Sequence, residues 1–324
     1  EHAPSAKGAL LSLGACLTGG EGAPPVVIAG RKLVWKAPLA EGACSFIELR
    51  ADAVTGELAA LKRVVMREDG DGDPRLEAEL LAAFDHPHIV RLLGTAVLPP
   101  TSERPLPELL ISMELCGGGR LPEALARRGG RRFEEAEVLR GCRGIADALA
   151  YMHARSPPVV HLDVKAENVL LYAHADLANP SVSLPLLKLC DFGSAVVGGV
   201  AIVGGRGLAA IQERLDGVTT LAYRSPELVD LHAAVERGVH EIGPPADVWA
   251  LGCLTFRLAY MQMPFPENKL AILRGSFEFP TVPDNGYTQE FREFVTAMLE
   301  PDPALRLTAA QAVHVIDGMY NRTN

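Results

Sequence analysis

Apolar residues fall in short runs along the first third of the chain. LVW at 33–35, FIEL at 46–49 and LAALKRVV at 58–65 read as strands, punctuated by Gly42 and by a hairpin-like Thr55-Gly56 turn. After a charged loop at 67–74, Leu76, Leu80, Leu81 and Phe84 share one face of a helix near 75–84. IVRLLGTAV (89–97) and ELLISMEL (108–115) read as two more strands around a Pro-rich loop at 98–107. Beyond Gly117-Gly118-Gly119 the period becomes helical. Val138, Leu139, Cys142, Ile145, Ala146, Leu149 and Met152 mark a helix over 134–153, and residues 246–261 are apolar almost all round, as in a helix buried at a domain centre. Further amphipathic helices are expected around Phe291–Leu299 and over 308–319, and short strands around a polar centre at 159–191. Residues 1–30 read as a loose leader and 319–324 as a tail. The expectation is an α+β chain that divides near residue 116 into a small sheet-rich lobe with one helix and a larger helical lobe. A ligand crevice between such lobes is the default.

Composition narrows the function classes. With 31 basic and 40 acidic residues the net charge is −9, which argues against nucleic acid as the main partner. No apolar run is long enough for a transmembrane segment. Gly8–Cys16 (GALLSLGAC) is apolar but short and reads as part of a flexible arm rather than a signal-peptide core. The cysteines at 16, 44, 116, 142, 190 and 253 form no CxxC pair, so neither a disulfide framework nor a zinc site is expected, and free thiols suit a reducing, cytoplasmic setting.

The polar centre holds the chemistry. His161-Leu162-Asp163-Val164-Lys165-Ala166-Glu167-Asn168 is followed, 28 residues after Asp163, by Asp191-Phe192-Gly193. This resembles the catalytic loop and metal-binding element of protein kinases. Phosphoryl transfer needs positioning and neutralisation of phosphate charge. Asn168 and Asp191 offer hard oxygens for Mg²⁺, Asp163 suits a base for the attacking hydroxyl, and Lys165 can neutralise the moving group. Upstream, Lys62 in Ala59-Ala60-Leu61-Lys62 matches the strand lysine that anchors phosphates. Glu77 is its expected helix partner, preferred to Glu79 because Leu80 and Leu81 then face the core.

The resemblance implies a protein-kinase fold with an antiparallel-sheet N-lobe (31–113), a hinge (114–119) and a helical C-lobe (120–318), using ATP and Mg²⁺ on protein substrates. Ala40 and Gly42 would belong to a thin glycine-rich loop. Ile47 and Ala60 would cover one face of adenine and Leu170 the other, with Met113 behind. The backbone of Glu114 and Cys116 would bond the base, and Cys190 reads as a small buried residue. Thr219 to Glu227 resembles the end of the activation segment, with Thr220 at the docking-loop threonine. Glu227 would pair Arg306, and Asp247 would tie down the catalytic-loop backbone.

Leu39–Gly42, Lys188–Ala195, Thr219–Glu227 and Asp247–Leu254, with Arg274–Pro280 and Leu299–Pro303, are similar to the Numb-associated kinase family of adaptor-associated, cyclin-G-associated and actin-regulating kinases. That resemblance implies Ser/Thr specificity, usually for Thr, substrates among endocytic adaptors and actin-regulatory proteins, membrane-trafficking adaptors as partners, and an extra helix within 228–245. Leu162 departs from the pattern, which has Arg there to receive an activation-loop phosphate, so activity independent of loop phosphorylation is expected. The alternatives are a pseudokinase scaffold, which has no chemical need for Lys62, Glu77, Asp163, Asn168 and Asp191 together, and a structural α+β adaptor.

Overall fold

Val26-Val27-Ile28 follow two prolines and are all β-branched, a combination that favours extended backbone. In the computed structural model they form strand β1 (Val26–Ile28). Ala29 and Gly30 both have positive φ, 49° and 77°, the geometry of a two-residue hairpin turn, and lead into β2 (Arg31–Glu41). The leader expected over 1–30 is corrected to this extent: three residues are too few to show alternation. The structure describes residues 23–41, 45–66, 74–102, 104–175, 177, 179, 183–202, 207–265, 268–281 and 286–323. Gly8–Cys16, Gly42, Cys44 and the loop at 67–73 lie outside them.

Two compact units emerge, one ending at Leu115 and including the chain up to Asp85 and Val90–Leu115, the other comprising His86–Ile89 and the chain from Cys116. The first holds an antiparallel sheet in the order β1-β2-β3-β4-β6-β5, with β3 at Ser45–Asp52, β4 at Leu58–Val65, β5 at Leu92–Leu98 and β6 at Glu108–Glu114. Helix α1 (Pro74–Ala83) buries Glu77, Ala78, Leu80 and Leu81. One sheet face carries a small apolar core of Ile28, Leu33, Leu61 and Leu110. The same face carries a chain of charges. Arg50 donates to Glu48 at 2.6 and 2.9 Å, Arg63 bridges Glu48 (3.2 Å) and Glu108 (2.7 Å), and Arg50, Glu48 and Glu108 are all buried. At the β3–β4 turn, Asp52 accepts the N–H groups of Val54 and Thr55 and the Arg31 guanidinium.

The second unit is mainly helical: α2 (Leu121–Arg127), α3 (Glu135–His153), α4 (Leu208–Val218), α5 (Pro226–Val229), α6 (Leu231–Glu236), α7 (Pro244–Tyr260), α8 (Lys269–Arg274), α9 (Gln289–Met298) and α10 (Ala309–Thr323). Glu134 and Glu137 form a reciprocal capping box at the start of α3, and all seven apolar residues assigned to its inner face are buried. α7 is buried almost all round, as its composition predicts, with Arg257 half-buried, and Met261 ends it in a left-handed cap. The tail expected at 319–324 is instead helical backbone as far as Thr323. Short strands β7 (Gly119–Arg120), β9 (Val169–Leu171) and β10 (Leu187–Leu189) form a small sheet around the polar centre.

Residues 228–245 do hold a helix, α6, but the longer element is α4, just before Thr219. Its Leu208 and Leu215 join Leu162, Leu228, Leu231 and Ile242 in one buried apolar cluster. Gln212 on α4 donates to the Leu228 carbonyl (3.0 Å) and accepts from the Leu231 N–H (3.0 Å), which ties α4 to α5 and α6.

Candidate active site

In the first unit, strand register decides which side chains share a face. Ala40 stands opposite Ile47, Ile47 opposite Lys62, and Ala60 opposite Met113. Because Ala60 and Lys62 are two residues apart on β4, all five lie on one face of the sheet, opposite the charged chain. Lys62 Nζ donates to Glu77 Oε1 and Oε2 at 2.7 and 2.8 Å, and both residues are buried. Glu79 is exposed. Removing either member of such a buried pair leaves an uncompensated charge at a cost of about 3–5 kcal/mol. Glu114 ends the last strand of this face, and its N–H donates to the Arg91 carbonyl at 3.0 Å.

In the second unit, the loop after β8 (Val159–Val160) is held from below. Asp247, at the start of α7 and almost wholly buried, accepts the N–H of His161 at 2.7 Å and that of Leu162 at 2.8 Å, and lies 3.0 Å from His153 Nε2. Leu162 and Asp191 both have left-handed backbone, φ 64° and 63°. That conformation costs a residue with a Cβ about 1–2 kcal/mol and persists only where surroundings dictate it. At Leu162 the surroundings are the two N–H bonds to Asp247 and the apolar cluster that receives the side chain.

Three polar side chains meet the Asp163 carboxylate. Lys165 Nζ is 2.6 Å from Oδ2, Asn168 Nδ2 donates to Oδ2 (3.0 Å) and to the Asp163 carbonyl (2.9 Å), and Thr220 Oγ1 donates to Oδ1 (2.9 Å). Lys165 also donates to Thr220 Oγ1 at 2.9 Å. These bonds orient Asp163 and fix the Asn168 amide with its nitrogen toward Asp163, so that its oxygen is the atom that would hold a cation. Asp191 is exposed. Mg²⁺ is commonly held by one or two protein oxygens together with substrate phosphates. Asn168 and Asp191 fit that role, and no three-residue His, Cys, Asp or Glu cage occurs among the described residues. Leu170 is half-buried on β9, opposite Arg120 and Lys188. Cys116 is buried. Cys190, expected to be buried, is half-buried instead; its thiol donates to the Asn168 carbonyl at 3.3 Å.

Behind the site, Arg306 binds Glu227 through both guanidinium nitrogens at 2.7 and 3.0 Å, with both residues buried. Sequence reasoning missed three further contributors. Arg224 binds the Asp216 carboxylate and donates to the carbonyls of Asp216 (2.7 Å) and Thr219 (3.0 Å), closing the end of α4 next to Thr220. Ser194 donates to the Val218 carbonyl at 2.7 Å, and His153 backs Asp247. No local pattern marks Ser194 and His153, because each acts on a partner distant in sequence, and the partners of Arg224 lie at the end of a helix the sequence did not reveal.

The comparisons agree with this picture. The protein kinase domain family matches residues 35–315. A probable serine/threonine-protein kinase of Dictyostelium discoideum is 31% identical over 88% of this chain and 24% of its own length; a second from that organism is 33% identical over 90% and 34%. The serine/threonine-protein kinase ppk30 of Schizosaccharomyces pombe is 33% identical over 71% and 22%. The chain therefore spans about a quarter to a third of the length of these relatives. With an antiparallel sheet and one helix in its first unit, a helical second unit, and this match over most of its length, the chain belongs to the protein kinase domain family, whose members use ATP and Mg²⁺.

Proposed function

We propose that this chain transfers the γ-phosphoryl group of ATP to Ser or Thr hydroxyls of proteins, with threonines of endocytic-adaptor or actin-regulatory proteins as substrates and the cytoplasm as its place of action. The observation that carries the reading is the set of bonds around Asp163: a carboxylate oriented by Asn168, Lys165 and Thr220 suits one that must meet an incoming hydroxyl. In this reading Asp163 accepts the hydroxyl proton and Lys165 neutralises the transferring group. Lys62, oriented by Glu77, holds the α- and β-phosphates. Asn168 and Asp191 hold Mg²⁺, which supplies charge neutralisation at the phosphates. Ala40, Gly42, Ile47, Ala60, Met113 and Leu170 enclose adenine, and the carbonyl of Glu114 with the backbone of Cys116 meets its edge. The serine/threonine kinase names of the relatives support the acceptor class, and the motifs similar to the Numb-associated kinases support the substrate class.

The test is a radiolabelled-ATP assay with Mg²⁺ on threonine and serine peptides. Asp163→Ala and Lys62→Met are expected to lower transfer about a thousandfold. Equal incorporation by wild type and both variants would assign the activity to a contaminant and remove the reading.

A further inference from the structure

In a chain whose net charge is −9, Lys165 pairs the acceptor carboxylate Asp163 directly. Besides Lys165, the buried Arg224 guanidinium feels the Asp163 charge. A third cation, Arg257 on α7, has a larger reach. Its Nη1 donates to Glu167 Oε1 at 3.0 Å and to the Tyr223 hydroxyl at 2.7 Å, and that hydroxyl accepts the Ala166 N–H at 3.3 Å. Ala166 and Glu167 closely follow Asp163 in the loop, and Tyr223 closely follows Thr220. Arg257 therefore joins the two segments that hold Asp163 and Thr220. Its side chain is 25% exposed and that of Glu167 is 41% exposed, although Glu167 Oε2 is itself buried and accepts no hydrogen bond. Arg120, half-buried opposite Leu170, adds a further cation on the adjoining strand.

A half-buried carboxylate four residues after Asp163 in the same loop would, left uncompensated, attract cationic residues flanking a target hydroxyl. Arg257 takes up that charge, and Arg224 does the same for Asp216. Glu123 on α2 is an exposed carboxylate.

We propose that Arg257 is a specificity-determining residue: by pairing Glu167 it turns the surface beside Asp163 toward target hydroxyls flanked by anionic groups and away from those flanked by Lys or Arg. This rests on Asp163 being the acceptor carboxylate, and it goes further by stating the charge of the preferred substrate. Carboxylate side chains and phosphorylated residues share the required chemistry.

The experiment measures fluorescence-anisotropy binding of four threonine peptides to the full chain, flanked by Asp, by phosphoserine, by Gln or by Arg. Wild type is expected to bind both anionic peptides about fivefold tighter than the Gln peptide, the scale of one exposed charge pair, and the Arg peptide more weakly. The difference should shrink as salt rises. A gain confined to the phosphoserine peptide would identify phosphate as the source, and equal gains would identify charge alone. Arg257→Ala should shift the ranking toward the Arg peptide about fivefold, and Glu167→Gln should shift it the opposite way. An unchanged ranking in both variants, or uniform loss for all four peptides in Arg257→Ala, would overturn the proposal. Because binding is read without turnover, absence of transfer by wild type would count against the kinase reading and leave this ranking intact.

Discussion

Lys62 and Asp163 are secured in different ways. Lys62 sits on a strand and is held by Glu77, lent by a helix 15 residues away. Asp163 is held by Lys165 and Asn168 within its own loop, and the backbone before it is bonded to Asp247 some 85 residues further on. The first arrangement depends on where one helix stands relative to one strand. The second is fixed from inside the loop and from beneath it. A helix displaced by one turn moves about 5.4 Å and would part Lys62 from Glu77, whereas the backbone of the Asp163 loop is tied to the buried Asp247 carboxylate.

Removing that carboxylate should have the largest effect. Asp247→Ala leaves the N–H groups of His161 and Leu162 buried without their acceptor, and a loss of about 4 kcal/mol is expected in denaturant titration, with transfer falling alongside. If Asp247→Ala retained wild-type stability and turnover, the loop would be shown to hold itself. Next comes the apolar cluster that takes the Leu162 side chain. Leu215→Ala is expected to cost about 3 kcal/mol, and phosphatase-treated wild type should keep its turnover because the cluster does what a phosphate would otherwise do. A requirement for phosphate at Thr219 or Thr220 would contradict this.

Glu77→Gln should act more narrowly and lower kcat/KM for ATP about tenfold, with peptide KM unchanged. Equal effects on ATP and peptide would remove the distinction between the two sites. The smallest effect concerns acid. Hydrogen bonds from Arg31, then from the backbone of Thr55 and Val54, hold the Asp52 carboxyl well below the usual carboxylate range. Its folded-state pKa lies below the unfolded value, so its contribution to stability is present above about pH 4 and disappears as pH falls further. Asp52→Asn should flatten the stability–pH profile below pH 4, as followed by circular dichroism.

Much of this could be read from the sequence because the chemistry is written in short contiguous stretches. The loop 161–168 carries Asp163, Lys165 and Asn168 at spacings that backbone geometry alone brings together. Strand β4 coincides with LAALKRVV because this largely apolar run is bounded by the Thr55-Gly56 turn and by the charged loop at 67–74. α4 was not legible. Leu208, Ile211 and Leu215 have helical spacing, but the run is short, and its partners Leu162, Leu228 and Leu231 come from separate segments. β1 was hidden by its length, and Arg257 by its position in a helix that reads as apolar throughout. Gly42, whose match to the glycine-rich pattern was thin, lies outside the described residues.

The chain of charges on the far face of the sheet has a bearing on how the strands find their alignment. Sliding β3 by a single residue against β4 would turn Glu48 and Arg50 to the side occupied by Lys62, away from Arg63, and would bring Ile47 to the charged side. Such a slip would break the Arg63–Glu48 bond and carry the Glu48–Arg50 pair onto the face of Lys62, a cost that an all-apolar face would not impose. The guanidinium–carboxylate ladder therefore works as an alignment key for the sheet that presents Lys62.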